Sequence, residues 1–282
     1  MLNRKYELLK DDFIEIFGHR LYRIVALRDF RNIITGELGG YIESEDNLSH
    51  EGNAWVANNA WVCENAIVRD NALVSQYVRV FGNASLSDDV RIAGNAQISG
   101  NAKIHNGAIV YGNAQILENA QLYENSCVCG CAIVRDYAHI HDDSRIYGNA
   151  QVSGNVFLLD KARIYGNSKV SDKATIFGFA QVTGEAQVSG SVRISGNAHL
   201  SGKAYVEKMT DYFVVGPIGS REGYTTFAIN DGGEIIVSCG CFSGSLQEFE
   251  NKVHKEHSGT RHEEDYMLAI EFAKRKMKYR SL

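Results

Sequence analysis

The sequence predicts a mainly β protein. Its body should be a single-stranded parallel β-helix of about nine coils, with a β-hairpin cap before it and a small α+β domain after it. Three observations predict this. An aliphatic residue returns every sixth position, as in Ile98, Ile104, Val110 and Ile116. A small residue, usually Ala, stands two places before each of them. Gly, Asn, Asp and Glu gather at the positions between, where a chain can bend cheaply.

When each hexad is framed to end on its aliphatic residue, residues 51–206 divide into 26 hexads with no insertion or deletion. The sixth position is Val, Ile or Leu in all 26, and the fourth is Ala in 19, so both behave as interior positions. A helix needs apolar residues three and four apart, which this pattern lacks. A short strand followed by a corner fits it: positions four and six point inward, and each coil hydrogen-bonds to the next. Three hexads make a coil of about eighteen residues.

Positions one and five then point outward. Trp55 and Trp61 fall at outward fifth positions of the first coil. Tyr111, Tyr147 and Tyr165 align on one face, with Cys129 between the first two. Such a ladder marks a contact with another chain, or simply stacks along the coils.

The ends read differently. Residues 1–38 form a hairpin, with "FIEIF" and "LYRIVAL" turning at Gly18 and His19, and cover one open edge of the β-helix at 39–206. Residues 207–282 form the α+β domain. Its three strands are "DYFVVGPI", "YTTFAIN" and "EIIVSC", and Ser245 with Glu248 makes a capping box before the first of two helices.

The heptapeptide "IYGNAQV" from Ile146 to Val152 resembles the hexapeptide-repeat, left-handed β-helix superfamily, the trimeric LpxA-like proteins. That resemblance implies left-handed coils, a homotrimer and, for the enzymes of the group, acyl-CoA-dependent transfer with a His as general base. The Asp-Phe, Gly-Gly-aromatic and Leu-Ser elements between Leu27 and Val56 resemble YdcK-type proteins of bacteria and phages, a group with a transferase label. "GPIGSREGYTTF" and "SCGCFSGSLQEFE" resemble a module of phage proteins.

The net charge of −5 is spread without blocks, which argues against a nucleic-acid binder. No apolar run reaches the about 18 residues of a membrane span. Six Cys with no apolar leader predict reduced thiols in the cytoplasm.

Candidate chemistry is dispersed. "HIHDD" offers His139 and His141 as bases with a carboxylate to orient them; the plainer reading is solvated surface histidines. His105 and His141 lie 36 residues apart, two coils on one face. The carbonic anhydrases of this fold space metal ligands similarly, but Ile146 stands where the third ligand belongs. "CVCGC" lacks zinc-type spacing and reads as free thiols.

Cys239 and Cys241 stand just ahead of a helix, with His254, His257 and His262 following. Cys239, Cys241, His254 and His257 could bind zinc, or a Cys could serve as nucleophile with a His base; the plainer reading is a packed turn. "GPIGSR" presents Gly216, Gly219, Ser220 and Arg221 as a loop able to hold an anion, without the Lys-Ser/Thr of a nucleotide P-loop.

The expected function is a non-catalytic scaffold or binding protein, phage- or prophage-associated. It self-assembles through β-helix faces, with a trimer favoured, and recognises a partner or small ligand through the C-terminal module. The alternatives are an acyltransferase using His139 or His141, and a phage counter-defence protein that sequesters a host protein or nucleotide signal. No cofactor is expected, with acetyl-CoA and zinc left open.

Overall fold

The structure is a computed structural model and describes residues 4–278. The chain divides into two compact units. One takes the residues up to Gly148 with Val152–Gly154, the other Asn149–Gln151 and the residues from Asn155 onward. From Trp55–Val56 to Tyr205–Val206, twenty-six two-residue strands succeed one another, three to a coil, in about nine turns of parallel β-solenoid.

Strand partners lie one coil of eighteen residues apart: Gln97–Ile98 pairs in parallel with Arg79–Val80 and with Gln115–Ile116. Positions four and six have no contact with solvent, as at Ala96, Ile98, Ala102 and Ile104. Each buried aliphatic contributes about 1.5–3 kcal/mol. Where Ser takes the fourth position, the hydroxyls of Ser144 and Ser168 donate to local carbonyls, that of Ser168 to Tyr165 at 2.8 Å, whereas the buried Ser126 hydroxyl has no hydrogen-bond partner among the described residues.

The corners explain the rest of the hexad. The second position has positive φ, +80° at Gly94 and +59° at Asp88. A Cβ on Gly94 would lie 2.6 Å from the Gly112 carbonyl oxygen of the next coil, so stacked glycines let the coils close. Where the corner residue is acidic, its carboxylate accepts the N–H of the corner one coil on. Glu64 takes that of Gly82 at 2.7 Å, and Asp160 that of Gly178 at 2.9 Å. Third-position Asn amides form ladders, Asn83 donating to Asn101 and Asn101 to Asn119, each at 2.9 Å.

In the first unit, strands β1 (Tyr6–Ile16) and β2 (His19–Ala26) form the antiparallel hairpin. Its turn is Phe17–Gly18, one residue earlier than the sequence suggested, and both residues have positive φ (51° and 87°). Strand β3 (Leu38–Ile42) joins the two pairing modes. It runs antiparallel to β2 and parallel to Trp61–Val62, and so converts the hairpin into the first coil.

That cap overturns one expectation. Trp55 and Trp61 are not outward aromatics on an exposed ladder; they are 0% and 7% exposed. Trp55 packs edge-on against Phe30 and Tyr6. Trp61 packs with Leu21, Tyr41 and Phe81. A two-residue strand cannot announce that a distant hairpin will cover its outer face.

In the second unit the last coil is covered by an antiparallel sheet in the order β4 (Tyr212–Ile218), β5 (Gly223–Ile229), β6 (Ile235–Cys239), β7 (Phe242–Ser245). Three strands were expected. The fourth, β7, follows a tight turn at Gly240 (φ 58°), in a segment that read as the approach to a helix. The Thr226 hydroxyl accepts the His199 N–H at 2.8 Å, and Ser201 bonds Ser238 at 2.6 Å, which ties sheet to coil. Helices α1 (Leu246–His257) and α2 (Arg261–Lys278) close a core of Phe227, Val237, Phe249, Val253, Tyr266 and Ile270. Among the described residues no helix is long and apolar enough to cross a membrane.

Candidate functional site

The coil interior is filled, so chemistry is confined to outer walls and to the ends. On one wall of the first unit the rings of His105, Tyr123 and His141 stack at 5.7 and 4.6 Å, one per coil. Tyr123 therefore lies between His105 and His141, which cannot converge on a metal as their spacing suggested. The Ser87 hydroxyl meets His105 Nδ1 at 2.7 Å.

His139 sits beside His141, with ring centroids 6.1 Å apart. The carboxylate nearest His141 is Glu124 of the preceding coil, at 3.5 Å, in place of the expected partner from the "HIHDD" run. Burial, then the neighbouring His141, lowers the His139 pKa from that of an ordinary imidazole, which favours its neutral form. It could accept a proton.

A second wall carries the tyrosines. Tyr111 is 47% exposed beside the Cys129 thiol, which pushes its phenol up to about 12. Tyr147 is half-buried. In the second unit Tyr165 donates to Gln181 at 3.0 Å. From Trp55 to Val206 no Asp or Glu occupies a first or fifth position, whereas Arg91, Lys103, Arg145 and Lys169 do. The acids stand at the corners, where second-position carboxylates such as Glu64 and Asp160 accept backbone N–H groups. The outer walls are therefore basic and the corners of the first unit acidic, a segregation that the mild net charge hides, whereas in the second unit Lys161, Lys173 and Lys203 balance Asp160, Asp172 and Glu185 at the corners.

The C-terminal module holds a hollow on which the sequence motifs converge. About 360 Å³ lies between the β4–β5 loop, the β6–β7 turn, α1 and α2. Ser220 and Arg221 line it from the loop, Cys239 and Cys241 from the turn, and Lys252, Glu256 and His257 from α1. Two motifs that stand apart in sequence are thus brought to one cleft.

The loop is built to this geometry. A register shift falls between Val215 and Ile218, Ile218 pairs with Gly223 across the base of the loop, and the Glu222 N–H bonds the Gly219 carbonyl at 3.1 Å. Gly219 has φ +75°, and a Cβ there would collide with the Tyr266 hydroxyl. Gly216 belongs to the β4 end of the loop and does not line the cleft.

Cys239 forms part of the floor. The Thr225 hydroxyl bonds its sulfur at 3.2 Å, and the Tyr266 hydroxyl lies 3.8 Å away. Burial, then the Cys239 thiol, pushes the Tyr266 phenol up to about 12, so it remains a hydrogen-bond donor.

Of the four expected zinc ligands, Cys239, Cys241 and His257 line the cleft. His254 instead pairs with Glu263 at 2.7 Å. Among the described residues no three His, Cys, Asp or Glu side chains form a group that could hold a metal ion. The thiols also do not sit against the helix N-terminus, because β7 intervenes and Ser245 is the cap. Sequence reasoning missed Tyr224, Lys252, Glu256 and Tyr266 as lining residues. The available signal was register on α1: with Phe249 and Val253 inward, Lys252 and Glu256 flank them one helical turn apart.

A family model described as the YdcK Beta solenoid repeat matches residues 96–112. No curated protein matches the chain. The coils and that match together support a β-helix family: this chain is a β-solenoid protein, similar over residues 96–112 to the YdcK repeat.

Proposed function

We propose that the chain is a non-catalytic β-solenoid scaffold that assembles through its outer walls and recognises a small ligand or partner through its C-terminal cleft. One observation carries this reading. The coils leave no interior space for chemistry, while two separate motifs meet at a single hollow in the terminal module.

Assembly is assigned to the Tyr111 wall, where exposed Ile109 and Tyr111 lie between Arg91 and Arg145. A basic wall complements the acidic corners of a second copy. Contacts between unlike surfaces close into a ring when the rotation between copies allows it, and the count of three follows the resemblance to the trimeric β-helix proteins. The phage or prophage setting rests on the resemblance of the C-terminal motifs alone.

A specific observation favours one second reading. The pairing of His141 with Glu124, beside a His139 whose neutral form is favoured, would suit a base in an acyl-CoA-dependent transferase.

Sedimentation equilibrium tests the first reading, and a mass of three chains is expected. A single-chain mass at every concentration would remove the assembly half. Millimolar acetyl-CoA should leave the melting temperature of wild type unchanged. A rise that His139→Ala/His141→Ala abolishes would move the assignment to the transferase.

A further inference from the structure

We infer that the C-terminal cleft binds a small aromatic anion, a flat ring joined to a phosphate monoester or a carboxylate. The inference rests on the recognition reading above and names its ligand class.

Charge gives the sign. Arg221 has no carboxylate partner among the described residues, whereas Lys252 is matched by Glu256 at 3.1 Å. The uncompensated charge of the lining is therefore a guanidinium, whose planar fork suits two oxygens of a phosphate or carboxylate. The other polar groups agree. The Tyr266 phenol stays protonated and the Ser220 hydroxyl can donate, so the site is rich in donors. The one acid among the described residues of the lining, Glu256, is already paired with Lys252, so a cationic ligand meets no free carboxylate there.

Shape gives the ring. Tyr224, Phe242, Phe249 and Tyr266 supply flat apolar surface around the hollow, and its 360 Å³ lies within the range of small-molecule sites. The Arg221 loop is fixed before any ligand arrives. Gly219 seats it directly on the Tyr266 hydroxyl, and the turn closes through the Glu222 N–H. A preformed loop loses little entropy on binding.

The thiols provide a local readout. Cys241 lines the cleft, whereas exposed Cys131 lies on the coils and serves as an internal reference. Full-length protein is alkylated with iodoacetamide in the presence of millimolar phenyl phosphate, benzoate, inorganic phosphate, phenol or benzylamine. Rates at both cysteines are read by peptide mass spectrometry.

Phenyl phosphate or benzoate should slow Cys241 by about threefold or more without changing Cys131, and whichever protects better names the anionic group. Inorganic phosphate should protect less, because it lacks the ring. Arg221→Ala should abolish the protection, Arg221→Lys should keep part of it, and Arg163→Ala should keep all of it. Equal protection in Arg221→Ala overturns the assignment. Protection by phenol or benzylamine but by neither aromatic anion overturns the anion class and leaves the recognition reading standing. Protection by none of the five removes both.

Discussion

Lys5 has no contact with solvent and still carries an amino group that must be satisfied. Its Nζ donates to the carbonyls of Ala54 at 2.8 Å and Glu51 at 3.4 Å, and lies 5.4 Å from the Phe30 ring centre. Burial, with Arg28 and Arg31 adding repulsion, lowers its pKa to about 8. The folded value lies below the unfolded one of 10.5, so between the two the unfolded chain binds more protons, and stability rises with pH across that window. The full effect is on the order of 3 kcal/mol. The Lys5 contribution to stability should therefore grow from pH 8 to 10, and Lys5→Met should remove that part of the pH slope measured by urea titrations. An unchanged slope would show that Lys5 does not titrate there. At this scale the hexad told the interior well: Ala96 and Ile98 are where their spacing put them. It could not tell that Asp88 or Glu64 would accept a neighbouring coil's N–H, because that partner lies eighteen residues away.

The elements at the two ends do what a solenoid most needs, which is to hide an open edge. Strands β1 to β3 do so by continuing the coil sheet, and they bury both tryptophans on the way. Removing residues 1–37 should expose Trp55 and Trp61 together with the free edge of the first coil. Tryptophan emission should shift to the red, and light scattering should rise at micromolar concentration. Blue emission with no scattering would mean that the coils close themselves. Both ends were legible as elements, since "FIEIF" and "YTTFAIN" are rich in the β-branched and aromatic residues that strands favour. Strand β7 was not, because "FSGS" carries no β pattern and is held by its pairing with β6. The cleft was half legible for the same reason. Arg221 and Cys241 stood out by residue type, but only the fold of β4 to β7 against α1 brings them together.

At the scale of the molecule the governing feature is where charge is allowed. Corner carboxylates are stabilised by backbone N–H groups, as Asp136 is by that of Gly154 at 2.6 Å, which holds its carboxyl below the usual range. The walls have no such donors and carry arginines. A copy that offers its corner to another's wall gains attraction, while wall against wall repels. Assembly should therefore weaken with salt, since the contact charges are exposed and screened over about 8–10 Å. Arg145→Glu places a carboxylate beside Tyr111 and should weaken self-association by about tenfold or more, with Arg145→Lys close to wild type. Lys252→Glu, in the terminal module, should leave it unchanged. Sedimentation velocity at low and high salt reads all three variants. If Arg145→Glu assembles like wild type, the wall is not the contact. If wild-type association is insensitive to salt, its contact is apolar, and the separation of basic walls from acidic corners serves the coils alone.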